Sequence, residues 1–155
     1  LTLDRKKFVK TLQTLKKVAP VRTADKSLHR AHIFKEDDAI YVASSNTEQT
    51  LKRKICSTAK LALDGNFGLF TVLDFARKAK TDEIELSFNE RGSLQIKSGA
   101  INFTDTAFKK DMWELDYRNP AKSTAGTHSF SYPIDELRRA FSGVAYAMSY
   151  EETRY

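Results

Sequence analysis

Ten of the first 35 residues are Lys or Arg, against only Asp4 and Asp25, and their spacing gives that charge a direction. Lys6, Lys10, Gln13 and Lys17 follow the i, i+4, i+7, i+11 rule, which places four long polar side chains on one side of a helix. Ammonium groups on flexible stems suit a polyanion, because they meet phosphates as point charges and make no geometric demand on bases. Arg22 stands in the polar segment just behind them. An acidic lipid surface would attract the same charge, and an ordinary solvated helix face would present it for no partner at all. The chain carries a net charge of +6, so the residues after position 35 sum to slightly negative.

Other reactive residue types form no catalytic pattern. His29 and His32 are an odd number of positions apart, which sends them to opposite faces of a straight strand, and His128 lies far along the chain. The paired acids Asp37-Asp38, Asp82-Glu83 and Glu151-Glu152 fall where turns are expected, and solvation accounts for them. Cys56 is the single cysteine, which leaves no internal disulfide and points to a reducing, cytoplasmic setting. The sequence contains no Gly-rich phosphate loop, nucleophile elbow or Cys-His arrangement. We therefore expect no enzyme, no cofactor and no metal site. No stretch approaches the ~20 apolar residues of a membrane span, and no membrane partner is expected.

The elements that must position the cations are legible from periodicity. Leu1 and Leu3 read as a short strand running into a helix that stops near Pro20, with Phe8, Leu12, Leu15 and Ala19 on one stripe facing a core. Three extended segments follow, Leu28 to Lys35, Ala39 to Ser45 and Thr50 to Ser57, broken by charged and polar turns as in an antiparallel meander. Residues 60–67 alternate in part, and Leu69, Val72, Leu73, Ala76 and Ala79 then form a second helical stripe with Thr71, Asp74 and Lys78 opposite. Glu83 to Phe88, Ser93 to Lys97 and Ala100 to Thr104 close the second round, separated by Asn-Glu-Arg-Gly and Ser-Gly turns. The order β-α-β-β-β thus occurs twice, an α+β class of antiparallel sheets with helices on one face.

Residues 107–127 lack periodicity and read as a linker. Beyond them the strand-helix unit begins again at an offset of 129, which puts Leu137 on Phe8, Phe141 on Leu12, Val144 on Leu15 and Met148 on Ala19. The polar side of this third helix carries Asp135, Arg139 and Ser142 and is less basic than the first.

Three segments in this order resemble the β subunit of bacterial replicative DNA polymerase III, the DNA sliding clamp. They are Leu3 to Ala19 with Val21-Arg22, the hairpins from Ile84 to Thr106 with the Ser98-Gly99 turn, and Phe130 to Tyr155, which ends in Glu-Thr-Arg-Tyr. The resemblance implies a DNA-clamp fold, with a first clamp domain at 1–120 and the opening of a second at 126–155, the rest lying in a longer protein. It implies a non-catalytic processivity factor that encircles double-stranded DNA as a ring dimer and serves a DNA polymerase and clamp loader subunits. By the same resemblance Lys6, Lys10, Lys17, Arg22, Lys78, Arg139 and Tyr155 would lie near DNA, and Phe103 at the subunit interface. Two departures stand out: Ser45-Asn46-Thr47-Glu48 replaces the family's acidic turn, and Asp105 occupies a position where an apolar side chain would serve the subunit contact. Two other readings compete: a stand-alone clamp-like module of a phage or mobile element that binds clamp partners without forming a ring, and a two-layer α+β enzyme.

Overall fold

Asp4 ends the first strand and starts the first helix with one side chain. Its Oδ1 accepts a hydrogen bond from the backbone N–H of Lys7 at 2.8 Å, satisfying one of the donors that every helix N-terminus leaves open. The computed structural model describes residues 1–22, 26–46, 48–57, 63–106 and 131–145. The chain divides into two units, Leu1–Pro120 and Ala121–Tyr155.

In the first unit the order is β1 (Thr2–Asp4), α1 (Arg5–Leu15), β2 (Arg30–Glu36), β3 (Ala39–Ser45), β4 (Thr50–Cys56), β5 (Asp64–Gly68), α2 (Leu69–Lys78), β6 (Glu83–Phe88), β7 (Leu94–Ser98) and β8 (Ile101–Asp105). A short 3-10 turn, Lys26–His29, precedes β2 and takes the residues with which we expected that strand to open. α1 ends at Leu15, short of Pro20; Lys16 keeps helical angles beyond it, and the N–H groups of Val18 and Ala19 both donate to the Leu15 carbonyl, the first at 3-10 spacing and the second at α spacing. Ala19 stays buried all the same.

The strands form two antiparallel four-stranded sheets, ordered β1-β6-β7-β8 and β4-β3-β2-β5. Each β-α-β-β-β half lends its first strand to the meander of the other: β1 pairs with β6 through Leu3 and Ile84, and β5 pairs with β2 through Phe67 and Ala31. Tight turns set the registers. Glu36 faces Ala39 across Asp37-Asp38, where Asp37 adopts φ 50°, a left-handed conformation that Asp tolerates. Ser98 faces Ile101 across Gly99-Ala100, where Gly99 at φ 59° carries the turn.

The apolar stripes of both helices meet the inner faces of both sheets in one core. Phe8, Leu12 and Leu15 of α1 and Leu69, Val72 and Leu73 of α2 pack with Ile33, Val42 and Phe67 from one sheet and Ile84, Leu86 and Ile96 from the other. Each fully buried side chain of this size contributes roughly 1.5–3 kcal/mol of transfer free energy, so the helices are pinned by their apolar faces and their polar faces are left free.

Within the described part of the second unit, α3 (Ile134–Ala145) is amphipathic, with Asp135 and Glu136 in its first turn. Its apolar stripe of Ile134, Leu137, Phe141 and Val144 is exposed.

Candidate nucleic-acid interface

Burial of Phe8, Leu12 and Leu15 fixes the rotation of α1 about its axis, and with it the direction of the cations. Lys6, Lys10 and Gln13 are exposed on the opposite side, and Lys17 is exposed in the turn that follows the helix. Among the described residues none of these lysines has an ion-pair partner. Arg22 is exposed as well, next to Val21, whose side chain is 71% exposed. The face is larger than the spacing rule indicated: Lys7 and Lys16 are also exposed, with the Lys16 ammonium 5.8 Å from the centroid of the Phe70 ring. The sequence signal for these two was the doublet at each end of the helix, Lys6-Lys7 and Lys16-Lys17.

This charge sits where the helix does not favour it. The first turn holds Arg5, Lys6 and Lys7 and no acid, although a helix N-terminus carries partial positive charge. Each such cation costs roughly 0.3–1 kcal/mol when exposed at low salt. Arg5 is partly relieved, since its Nε donates to the Thr81 carbonyl at 2.7 Å. Lys6 and Lys7 have no such outlet among the described residues.

The other expected positions are scattered. Lys78 is exposed at the C-terminal end of α2, where the helix dipole favours a cation. Arg139 is exposed on α3, in the second unit. Tyr155 lies outside the described residues. Phe103 is half-buried on β8, and its ring stacks on Phe75 of α2 with centroids 5.2 Å apart, so the side chain faces its own core. The neighbouring Ile101 is the exposed apolar residue of that edge strand, at 55%.

Asp105 has a role that the sequence did not signal. Gly68, the N-cap of α2, has no side chain with which to cap, and Asp105 supplies one from another strand: its Oδ2 accepts from the Gly68 N–H at 2.7 Å and from Arg30 Nη2 at 3.0 Å. Arg30 also donates through Nε to Asn66 Oδ1 at 2.9 Å. Burial lowers the Arg30 pKa below its ordinary value, and the Asp105 charge works against that fall. An acid at this position therefore joins the end of β8 to β2, β5 and α2, and an apolar residue would not.

His32 Nε2 lies 2.9 Å from Asp64 Oδ1, whereas the His29 ring meets Phe70 edge-on at 5.7 Å. Among the described residues no three His, Cys, Asp or Glu side chains are grouped as they would be around a metal ion. No helix there is long and apolar enough to cross a membrane.

No family model and no curated protein matches the chain. Solved structures do. The sliding clamp from Bacillus subtilis superposes with a TM-score of 0.82 at 18% identity over 99% of this chain, and polymerase III β from Caulobacter crescentus with 0.81 at 21% over 100%. The polymerase III β sliding clamp from Bartonella birtlesii, solved bound to griselimycin, gives 0.83 at 23% over 100%. The chain spans about two fifths of the length of each, 40 to 41%. At these identities the likeness establishes the fold: the chain has the DNA sliding-clamp fold.

Proposed function

We propose that this chain is the DNA-facing first part of a sliding clamp, a non-catalytic processivity factor that encircles duplex DNA and tethers a replicative polymerase. The observation that carries the reading is the exposed cationic face of α1, without ion-pair partners among the described residues and held outward by its buried stripe in a clamp fold. Lysines spaced along a helix attract phosphates by releasing condensed counterions and read no bases, which a protein that must slide requires. Lys6, Lys10, Lys17 and Arg22 are the contacts; Lys78 and Arg139 are weaker ones, because neither has basic neighbours on its face.

The same reading accounts for α3. At the offset of 129 its exposed Leu137, Phe141 and Val144 correspond to the buried Phe8, Leu12 and Leu15 of α1. On this reading they form the core face of a second clamp unit, and such units close the ring as a dimer. A cysteine placed at Val144 in the whole gene product should react slowly with a thiol reagent; reaction as fast as at an exposed control site argues against a second unit.

The decisive experiment is topological. Loaded onto nicked circular duplex, the gene product should be retained, and it should run off once the circle is linearised. Equal retention on both forms would show attachment without encirclement and end the clamp reading.

A further inference from the structure

Among the described residues of the first unit, two large apolar side chains are exposed, Ile101 at 55% and Val21 at 71%. Ile101 lies on the edge strand β8. Val21 keeps different company. Lys16 and Lys17 stand before it and Arg22 directly after it, all three exposed, and positions 16–22 hold no acid. Among the described residues none of these three cations has an ion-pair partner. The tip therefore offers charge and apolar surface together.

The backbone holds this tip on the end of α1. The N–H groups of Val18 and Ala19 donate to the Leu15 carbonyl at 3.0 and 3.2 Å, and the Ala19 side chain is buried. Pro20 is half-buried, and its ring fixes φ near −65°. The chain thus leaves the core at Pro20, and the next two side chains, Val21 and Arg22, are both exposed. Val21 lies four positions beyond Lys17, a span of at most about 14 Å even in extended chain. The minor groove of duplex DNA is about 6 Å wide and is bordered by phosphates on both sides. Cations this close to an apolar tip can meet the rims of the groove that the tip enters.

We propose that Val21 enters the minor groove of duplex DNA between phosphates held by Lys17 and Arg22, and makes apolar contact with the sugars that wall the groove. The proposal rests on the DNA reading above and adds a contact of another kind, one that carries no charge and reads no base. Two roles compete with it. A singly exposed apolar side chain is ordinary on a protein surface and requires no ligand. An acidic lipid surface would meet the same cations, but binding there scales with buried apolar area, and one valine supplies little.

Salt dependence separates an apolar contact from a phosphate contact. Affinity of the full chain for a short labelled A·T-rich duplex, followed by fluorescence anisotropy between about 50 and 200 mM salt, falls with a log-log slope of about 0.9 per phosphate contact. Val21→Ala should weaken binding roughly tenfold at every salt concentration, the change expected for two buried methyl groups, with slope and melting temperature as in wild type. Val21→Leu should restore binding to within about twofold of wild type, and Arg22→Gln should lower the slope by about 0.9. Filling the minor groove with distamycin should erase the difference between wild type and Val21→Ala. Equal affinity of wild type and Val21→Ala, beside a reduced slope for Arg22→Gln or for Lys6→Gln/Lys10→Gln/Lys17→Gln, overturns this proposal alone. A lowered slope in Val21→Ala overturns it too, since the residue would then act by positioning Arg22, and so does a difference that survives distamycin. Dependence on Val21 in binding to phosphatidylserine vesicles, with none on DNA, overturns it in favour of a lipid surface. No binding of DNA by the wild-type chain, or no change of slope in any cation variant, overturns the DNA reading itself.

Discussion

Asp105 uses one oxygen to serve two elements. Its Oδ2 caps α2 at the Gly68 N–H and neutralises Arg30, whose side chain is only 13% exposed. Removing one partner of such a pair leaves a charge in a poorly solvated place. Asp105→Ala should therefore destabilise the first unit by about 3 kcal/mol in urea unfolding, and Asp105→Asn by less, because an amide oxygen can still accept from Gly68. Equal losses from the two substitutions would show that the cap contributes nothing beyond the charge, and no loss from either would show that neither charge nor cap accounts for the residue. Gly65 illustrates a different constraint, since a Cβ there would lie 2.5 Å from Cε1 of Phe88. Gly65→Ala should cost roughly 1–3 kcal/mol through overpacking, with much of the loss recovered in combination with Phe88→Leu. Neither role was visible in the residue types, because both partners come from segments distant in sequence.

At the scale of an element, the cationic face of α1 sets stability against the proposed DNA binding. Its buried stripe was legible from spacing alone, and the exposed cations followed from it. The same cations oppose the helix dipole in the first turn and repel one another along the face. Lys6→Glu reverses both effects, placing an acid near the N-terminus and giving Lys10 an oppositely charged neighbour at i, i+4, with the acid on the favourable N-terminal side. The melt should show a gain of roughly 0.5–1 kcal/mol, and anisotropy should show weaker DNA binding in the same variant. A variant that binds as well as wild type would mean that this face is ordinary solvated surface. β4 shows where element-level reading stopped: a register shift between Ile40 and Tyr41 lets the consecutive residues Ile55 and Cys56 both pack on the core, and a bulge leaves no periodic mark.

Across the whole first unit, the exchange of β1 and β5 between the halves makes neither half complete. Each sheet draws on both halves, and one core spans all of them. The two sheets should therefore open together: amides of Ile33 and Ile84, one from each sheet, should exchange with the same free energy, that of global unfolding. Distinct values would mean independent halves. The sequence by itself determined what depends on neighbours within a few positions: the helix stripes, the strands around their turns, the repeat at offset 129 and the direction of the α1 cations. Only the tertiary structure decided which first strand joins which meander, that Phe103 faces its own core, that Asp105 caps a helix from another strand, and that Lys52 pairs with Glu36. The physical reason is the same in each case. Periodicity records how a residue is oriented within its own element, whereas pairing, capping and neutralisation depend on which distant element folding brings beside it.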